Sequence, residues 1–395
     1  MPGLLHKWSY RAVAFYAATA VIAFALPVSR GFIRANVPLV VFLFAVVLVV
    51  AATAGAPEGE LGLEEVPADE SPTIVAIKAM RLAHPSLEGR KKSSMCVCAT
   101  FTVNEQFRIP EAYRATLGDV SDVDLRVGLF AERGRTYDAM VEFADSADRF
   151  ISGPTEGRSV GIKLFGVPGA KFRGDDNATF EFVLFGHEAE LVATPADFLS
   201  FLAVRARFGS GTIGLLAQAA RRPRGAFNAL GARRRIANPL AAPWFSATPY
   251  LLGRWADEPR FVPRVRGRPR AVKYRLALEA TPADMAPVLG AGARFDFSIQ
   301  LQTSAHRQPI ENAAVAWSAA DSPWISVAKI EVAAPAGGFD LDDFGERLAC
   351  NPWRCFAEHR PLGGLNRARW EVPPAPREGA QVFDRDDSRM NHVQA

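Results

Sequence analysis

Four cysteines in 395 residues are too few to build a disulfide scaffold. Proline and glycine, at 28 and 31 residues, are too sparse for a fibrous or low-complexity chain. Disorder is excluded by the opposite abundance, 49% hydrophobic residues, which is enough to bury a core. A net charge of +4 over this length does not support nucleic-acid binding by charge. Lysine is scarce, with 8 against 38 arginines, an imbalance read here as codon bias. Tyrosine stops at Tyr274, and the 121 residues after it hold none. No P-loop, Ser-His-Asp elbow or H-E-x-x-H is present.

What is present begins with an uncharged run, VPLVVFLFAVVLVVAATAGA, over residues 37–56. At about 1.5 Å per residue it is long enough to cross a hydrocarbon core of about 30 Å. A shorter run, residues 12–28, reads either as a second span or as the apolar part of a signal-like segment. Arg30 and Arg34 precede the longer run, and no Lys or Arg follows it until Lys78. The positive-inside rule therefore places the large C-terminal part outside the cytoplasm. The expectation is a membrane protein with an anchor over 1–57.

Residues 58–71 are acidic and carry Gly59, Gly62 and Pro67, the character of a linker. Beyond it, β-rich segments are expected at 96–103, 125–130, 139–143, 160–165 and 178–185. Residues 196–208 read as a helix with Pro195 at its start. Later strands are expected at 271–278, 293–303 and 325–333. Early strands, a helical middle and late strands indicate an α+β domain around an antiparallel sheet or barrel. Residues 373–395 are polar and Pro-rich and read as a disordered tail.

The middle of the chain is basic. Residues 205–270 hold 14 arginines and two acidic residues. This basic insertion reads either as a patch for anionic lipid or an acidic partner, or as a solvated face. Cys96 and Cys98 are two apart on an expected strand and share a face. With Cys350 and Cys355 they could form a zinc site, pair as disulfides, or act as small buried apolar groups. G-x-G-x-x-G at 209–214 follows a helix-like run and lacks an acidic residue about 20 positions on, so it is not a dinucleotide site. Asn177-Ala178-Thr179 is a glycosylation sequon, with meaning only in a eukaryotic secretory route.

Several ordered blocks carry a resemblance: LRVGLFAERGRTYDAMVEF (125–143), GRSVGIKLFGVPGAK (157–171), TPYLLG (248–253), FDFSIQLQT (295–303), PIENAAVAW (309–317) and ERLACNPWRCFAEHRPLGGLNRARW (346–370). Together they resemble the short, single-domain branch of the catalase superfamily, over most of 80–372. The resemblance implies a catalase-like antiparallel β-barrel with surrounding helices in residues 72–372, and heme as cofactor. It also marks Glu358-His359-Arg360 as part of a buried structural block.

Catalase chemistry needs a phenolate on iron, a distal His and Asn, and arginines for the phenolate and the propionates. The resemblance assigns the phenolate-paired Arg to Arg369, but four residues later stands Pro373. Arg81-Leu-Ala-His84 fits the distal R-x-x-H, which makes His84 the candidate catalytic residue and Arg81 a cofactor residue. An alternative alignment puts Arg90 there, with GRKKSS (89–94) as an insertion, and leaves His84 an ordinary surface histidine. Gly186 stands at the distal Asn position, beside His187, and Glu142 stands where the family has an Arg. Arg158 is retained as a propionate residue. The expectation is a degenerate, membrane-anchored catalase-like protein without catalase activity. The alternative is a heme enzyme acting on hydrogen peroxide or organic hydroperoxides through a replaced His or Cys ligand, Cys350 or Cys355 among them.

Overall fold

The computed structural model describes residues 70–84, 91–117, 120–146, 158–172, 178–208, 228, 242–253, 270–279, 293–332 and 350–371. The apolar runs at 12–28 and 37–56, the acidic stretch up to residue 69, residues 209–227, 229–241 and 254–269 of the basic stretch, and the tail lie outside them. No helix among the described residues is long and apolar enough to cross a membrane.

The chain runs helix α1 (Glu70–Ala83), strand β1 (Lys91–Val103), short helix α2 (Ala112–Leu117), then β2 (Thr136–Ser146), β3 (Arg158–Phe165) and β4 (Thr179–Phe185). Helix α3 (Pro195–Phe208) follows, then β5 (Trp244–Phe245), β6 (Tyr250–Leu252), β7 (Arg270–Leu278), β8 (Ala293–Leu301), β9 (Ile325–Val332) and helix α4 (Gly364–Glu371). The strands pair antiparallel in the order β5-β4-β3-β2-β1-β9-β8-β7-β6. A further pairing of β5 with β7, Trp244 opposite Leu276, closes the sheet into a barrel. Closure removes the free edges that an open sheet of this size would present.

Alternation along the strands sends one set of side chains inward. Phe101, Phe182, Tyr274 and Phe297 meet at the centre, with Phe182 and Phe297 ring centroids 4.8 Å apart. The interior is therefore a packed core. One end is plugged by His359, whose ring meets Phe130 and Phe180 edge-on at 5.2 and 5.5 Å. Its Nε2 accepts from the Leu129 N–H at 3.0 Å and its Nδ1 lies 3.2 Å from the Tyr274 hydroxyl. Burial pushes this imidazole down to about 4, so it is neutral at pH 7. The block around Glu358-His359-Arg360 thus contributes a buried structural histidine.

Two sequence expectations are corrected here. Residues 125–130 are not a strand but parts of two 3-10 turns, Asp122–Leu125 and Gly128–Phe130. Asp124 caps the first turn through Ser121, and Gly128 takes φ +53°, which breaks extended backbone. The stretch read as linker ends early, because α1 begins at Glu70. Glu70 is buried in a bidentate pair with Arg367 of α4, at 2.6 and 2.7 Å. Glu311 accepts from the same guanidinium at 2.7 Å. This three-membered network ties the first and last described helices together.

Candidate functional site

The outward residues of β4 face the helices. Val183 and Phe185 alternate with the inward Phe182 and Leu184 and form the floor of a cavity of about 340 Å³. Helix α1 contributes Ile77 and Arg81, four apart and so on one helical face. Helix α4 contributes Leu365, Ala368 and Arg369 by the same spacing. Phe198 enters from α3. That helix starts at Pro195, a residue suited to the first helical position. It is capped by Thr194, whose Oγ1 accepts from the Asp197 N–H at 3.2 Å, while Asp197 accepts from the Ala193 N–H at 3.3 Å. Glu190, Val192, Tyr250, Cys350, Asn351 and Pro352 complete the wall.

The Cys350–Pro352 segment is held in place from the barrel. Glu181 of β4 accepts from the Asn351 N–H at 2.5 Å and from Arg354 at 3.2 Å, and pairs with Lys163 of β3 at 3.0 Å. Lys163 and Glu181 are 2% and 0% exposed, so neither charge reaches water. Cys350 packs over Gly161, where a methyl would come within 2.7 Å of its Sγ and 3.6 Å of Glu142.

The polar corner of the cavity is an ion pair. Arg369 donates to Glu190 Oε1 at 2.5 Å and to Asn366 Oδ1 at 3.0 Å, with its guanidinium 5.6 Å from the Phe185 ring. Burial alone would raise the Glu190 carboxyl, but Arg369, with smaller help from His187 and Lys273, holds it below the ordinary range. Tyr250 is pushed well above the ordinary phenol range by burial and stays protonated.

Of the residues singled out from sequence, Arg81, Cys350 and Arg369 line this cavity. His84 does not. It lies at the end of α1, in a separate open groove against α3 with Met80, Ala196 and Leu199. Arg158 is the first residue of β3, opposite Asp145 of β2. His187 stacks on Phe185 at 5.6 Å and is not among the lining residues. Glu142 is buried on the outer face of β2, opposite Cys96. Glu190, Tyr250 and Asn351 were not singled out from the sequence. Their partners lie far along the chain, so no local spacing marks them.

The cysteines divide. Cys96, Cys98 and Cys350 pack with Met140 and Phe165 outside the barrel, whereas Cys355 is in the barrel core. None is in a disulfide, and no metal-holding cluster occurs among the described residues. Burial raises the Cys355 thiol far above its ordinary range, so it is not a thiolate.

These residues do not fit a catalase heme. Arg369, which the sequence resemblance assigns to a phenolate, is held by Glu190. The one tyrosine of the wall is kept neutral, and the candidate distal histidine is elsewhere.

No protein-family model matches the chain, and no curated protein matches it. Solved structures do. Catalase A from Saccharomyces cerevisiae matches with TM-score 0.51 and 12% identity, over 80% of this chain and 67% of its own. A fungal catalase matches with TM-score 0.50 and 11% identity, over 80% of this chain and 64% of its own. The chain therefore spans about two thirds of the length of these catalases. At this identity the likeness establishes the fold: the barrel and its flanking helices are catalase-like.

Proposed function

We propose that this chain is a catalase-like protein without catalase activity, acting as a binding module held at a membrane by its N-terminal apolar run. One observation carries the reading. Arg369 spends its guanidinium on Glu190, and no tyrosine follows Tyr274 to supply the phenolate that this arginine would otherwise serve. The barrel core, by contrast, is fully packed. A scaffold maintained around an altered pocket fits retention of the fold for binding.

In this reading the C-terminal domain is extracytoplasmic, and the basic 205–270 region meets anionic lipid or an acidic partner. His84, Arg81 and Arg158 have no part in peroxide chemistry. The test is oxygen release from hydrogen peroxide by full-length protein produced with excess heme. The expected rate is no higher than that of free hemin. A rate several orders of magnitude above it would overturn the reading and favour a heme enzyme with a replaced ligand.

A further inference from the structure

We propose that the cavity beside β4 binds an uncharged apolar molecule with one carbonyl, a medium-chain ketone, held by a hydrogen bond from the Tyr250 hydroxyl; this rests on the reading that the pocket does not hold heme. Tyr250 differs from other buried tyrosines. Tyr113 shares a hydrogen bond with Ser322 Oγ at 2.9 Å and accepts from the Leu301 N–H at 3.2 Å. The Tyr274 hydroxyl lies 3.2 Å from His359 Nδ1. Tyr250 is 3% exposed and lines the cavity, but its hydroxyl has no hydrogen-bond partner among the described residues. A buried phenol ordinarily finds one, and leaving it unmet costs about 1–3 kcal/mol. Burial keeps this phenol protonated, so it offers a ligand a donor.

The charges of the wall are spent within the protein. Arg369 donates to Glu190 and to Asn366, and Arg81 is engaged by the protein as well. An ionic ligand of either sign would have to break these contacts. Acceptors of the wall are spent too: Asn351 Oδ1 takes the Trp353 N–H at 3.0 Å, and Glu190 Oε1 takes Arg369 at 2.5 Å. A carbonyl, which only accepts, therefore fits better than an alcohol, whose own proton needs an acceptor. The rest of the wall is mainly apolar, with Ile77, Val183, Val192, Phe198 and Leu365 supplying aliphatic and aromatic surface. Burial of an alkyl chain against it is favourable by about 0.8 kcal/mol per methylene. The volume, about 340 Å³, falls at the low end of the roughly 300–1,000 Å³ of small-molecule sites, which join apolar walls to a few placed polar groups.

The test uses full-length protein in lipid nanodiscs and 2-octanone carrying carbon-13 at its carbonyl. The expected result is a saturable bound carbonyl resonance, close to one per protein and absent from empty nanodiscs. It should lie downfield of the ketone in hydrocarbon, as a hydrogen bond to the carbonyl requires. Octane, octanoate and octyltrimethylammonium should compete at least about tenfold more weakly than unlabelled ketone. Tyr250→Phe keeps the ring and removes the donor. It should weaken the ketone by about tenfold, return the resonance to its hydrocarbon position and leave octane unchanged. Val192→Trp, which fills the cavity, should abolish binding. Circular dichroism of each variant confirms that it is folded. Ala368→Trp replaces Val192→Trp if that variant is not, and the wild-type shift and the octane comparison decide if Tyr250→Phe is not. No saturable binding to folded wild type would overturn the proposal. So would equal competition by octane or by either ion, or an unchanged affinity or shift in folded Tyr250→Phe. Hemin is titrated in parallel. A stoichiometric Soret band would overturn the non-heme reading itself, whereas failure of the ketone without such a band overturns only the ligand assignment.

Discussion

Arg369 of α4 and Glu190, 179 residues earlier in the chain, form an ion pair with Nη2 2.5 Å from Oε1 at the polar corner of the cavity. The pair occupies the guanidinium that the sequence resemblance assigns to an iron-bound phenolate. It also joins the last described helix to the segment between β4 and α3. Both side chains are partly shielded, at 33% and 14% exposure, so the pair is worth more than a surface bridge. Glu190→Gln should lower stability by about 1–2 kcal/mol. A double-mutant cycle with Arg369→Leu, followed by urea unfolding, should return most of that value as coupling.

The barrel plug sets an acid limit. His359 titrates at about 4 in the fold against about 6.5 in an unfolded chain. Between those values the unfolded state binds more protons, so stability falls as pH drops from about 6.5 to 4. The loss from this one group is about 3 kcal/mol. Urea midpoints measured at several pH values should show this slope in wild type and a shallower one in His359→Gln.

Gly128 should resist any side chain. Its φ is +53°, and an added methyl would lie 2.5 Å from His359 Nε2. Both the left-handed backbone and the contact oppose substitution. Gly128→Ala should cost about 2–4 kcal/mol, read as a lower thermal midpoint.

The Lys163–Glu181 pair should be far more sensitive to single than to double replacement. Removing the carboxylate strands a lysine that is 2% exposed. Glu181→Ala should cost about 3–5 kcal/mol. The double variant Lys163→Met with Glu181→Leu should recover much of this, although Arg354 and the Asn351 N–H also lose an acceptor. Denaturant unfolding of the two variants beside wild type decides the order.

Most of the barrel was legible because its strands obey a period of two. Residues 179–185, TFEFVLF, place Phe180, Phe182 and Leu184 inward, as their alternation announces. Helix α3 was legible from Pro195 and its periodicity. Residues 125–130 have the apolar content of a strand, but Gly128 and the Asp124 cap turn the backbone. Helix α1 carried a usable signal in Ile74, Ile77 and Arg81, but its acidic first residue reads as linker. The reason Glu70 is buried lies 297 residues away, at Arg367. The cavity follows the same logic. Arg81 and Arg369 stood out by motif, whereas Glu190 and Tyr250 have their roles fixed by long-range contacts. The shared face of Cys96 and Cys98 was visible from spacing; that Cys350 joins them while Cys355 enters the barrel core was not.

The most direct test of the central claim is an absorption spectrum of the full-length protein, produced with excess heme and then titrated with hemin. The expected result is a folded protein with no stoichiometric Soret band, since Glu190 holds Arg369 and the cavity wall presents no ionised tyrosine. A one-to-one Soret band that shifts on substitution of Cys350 or Tyr250 would contradict it and identify the iron ligand.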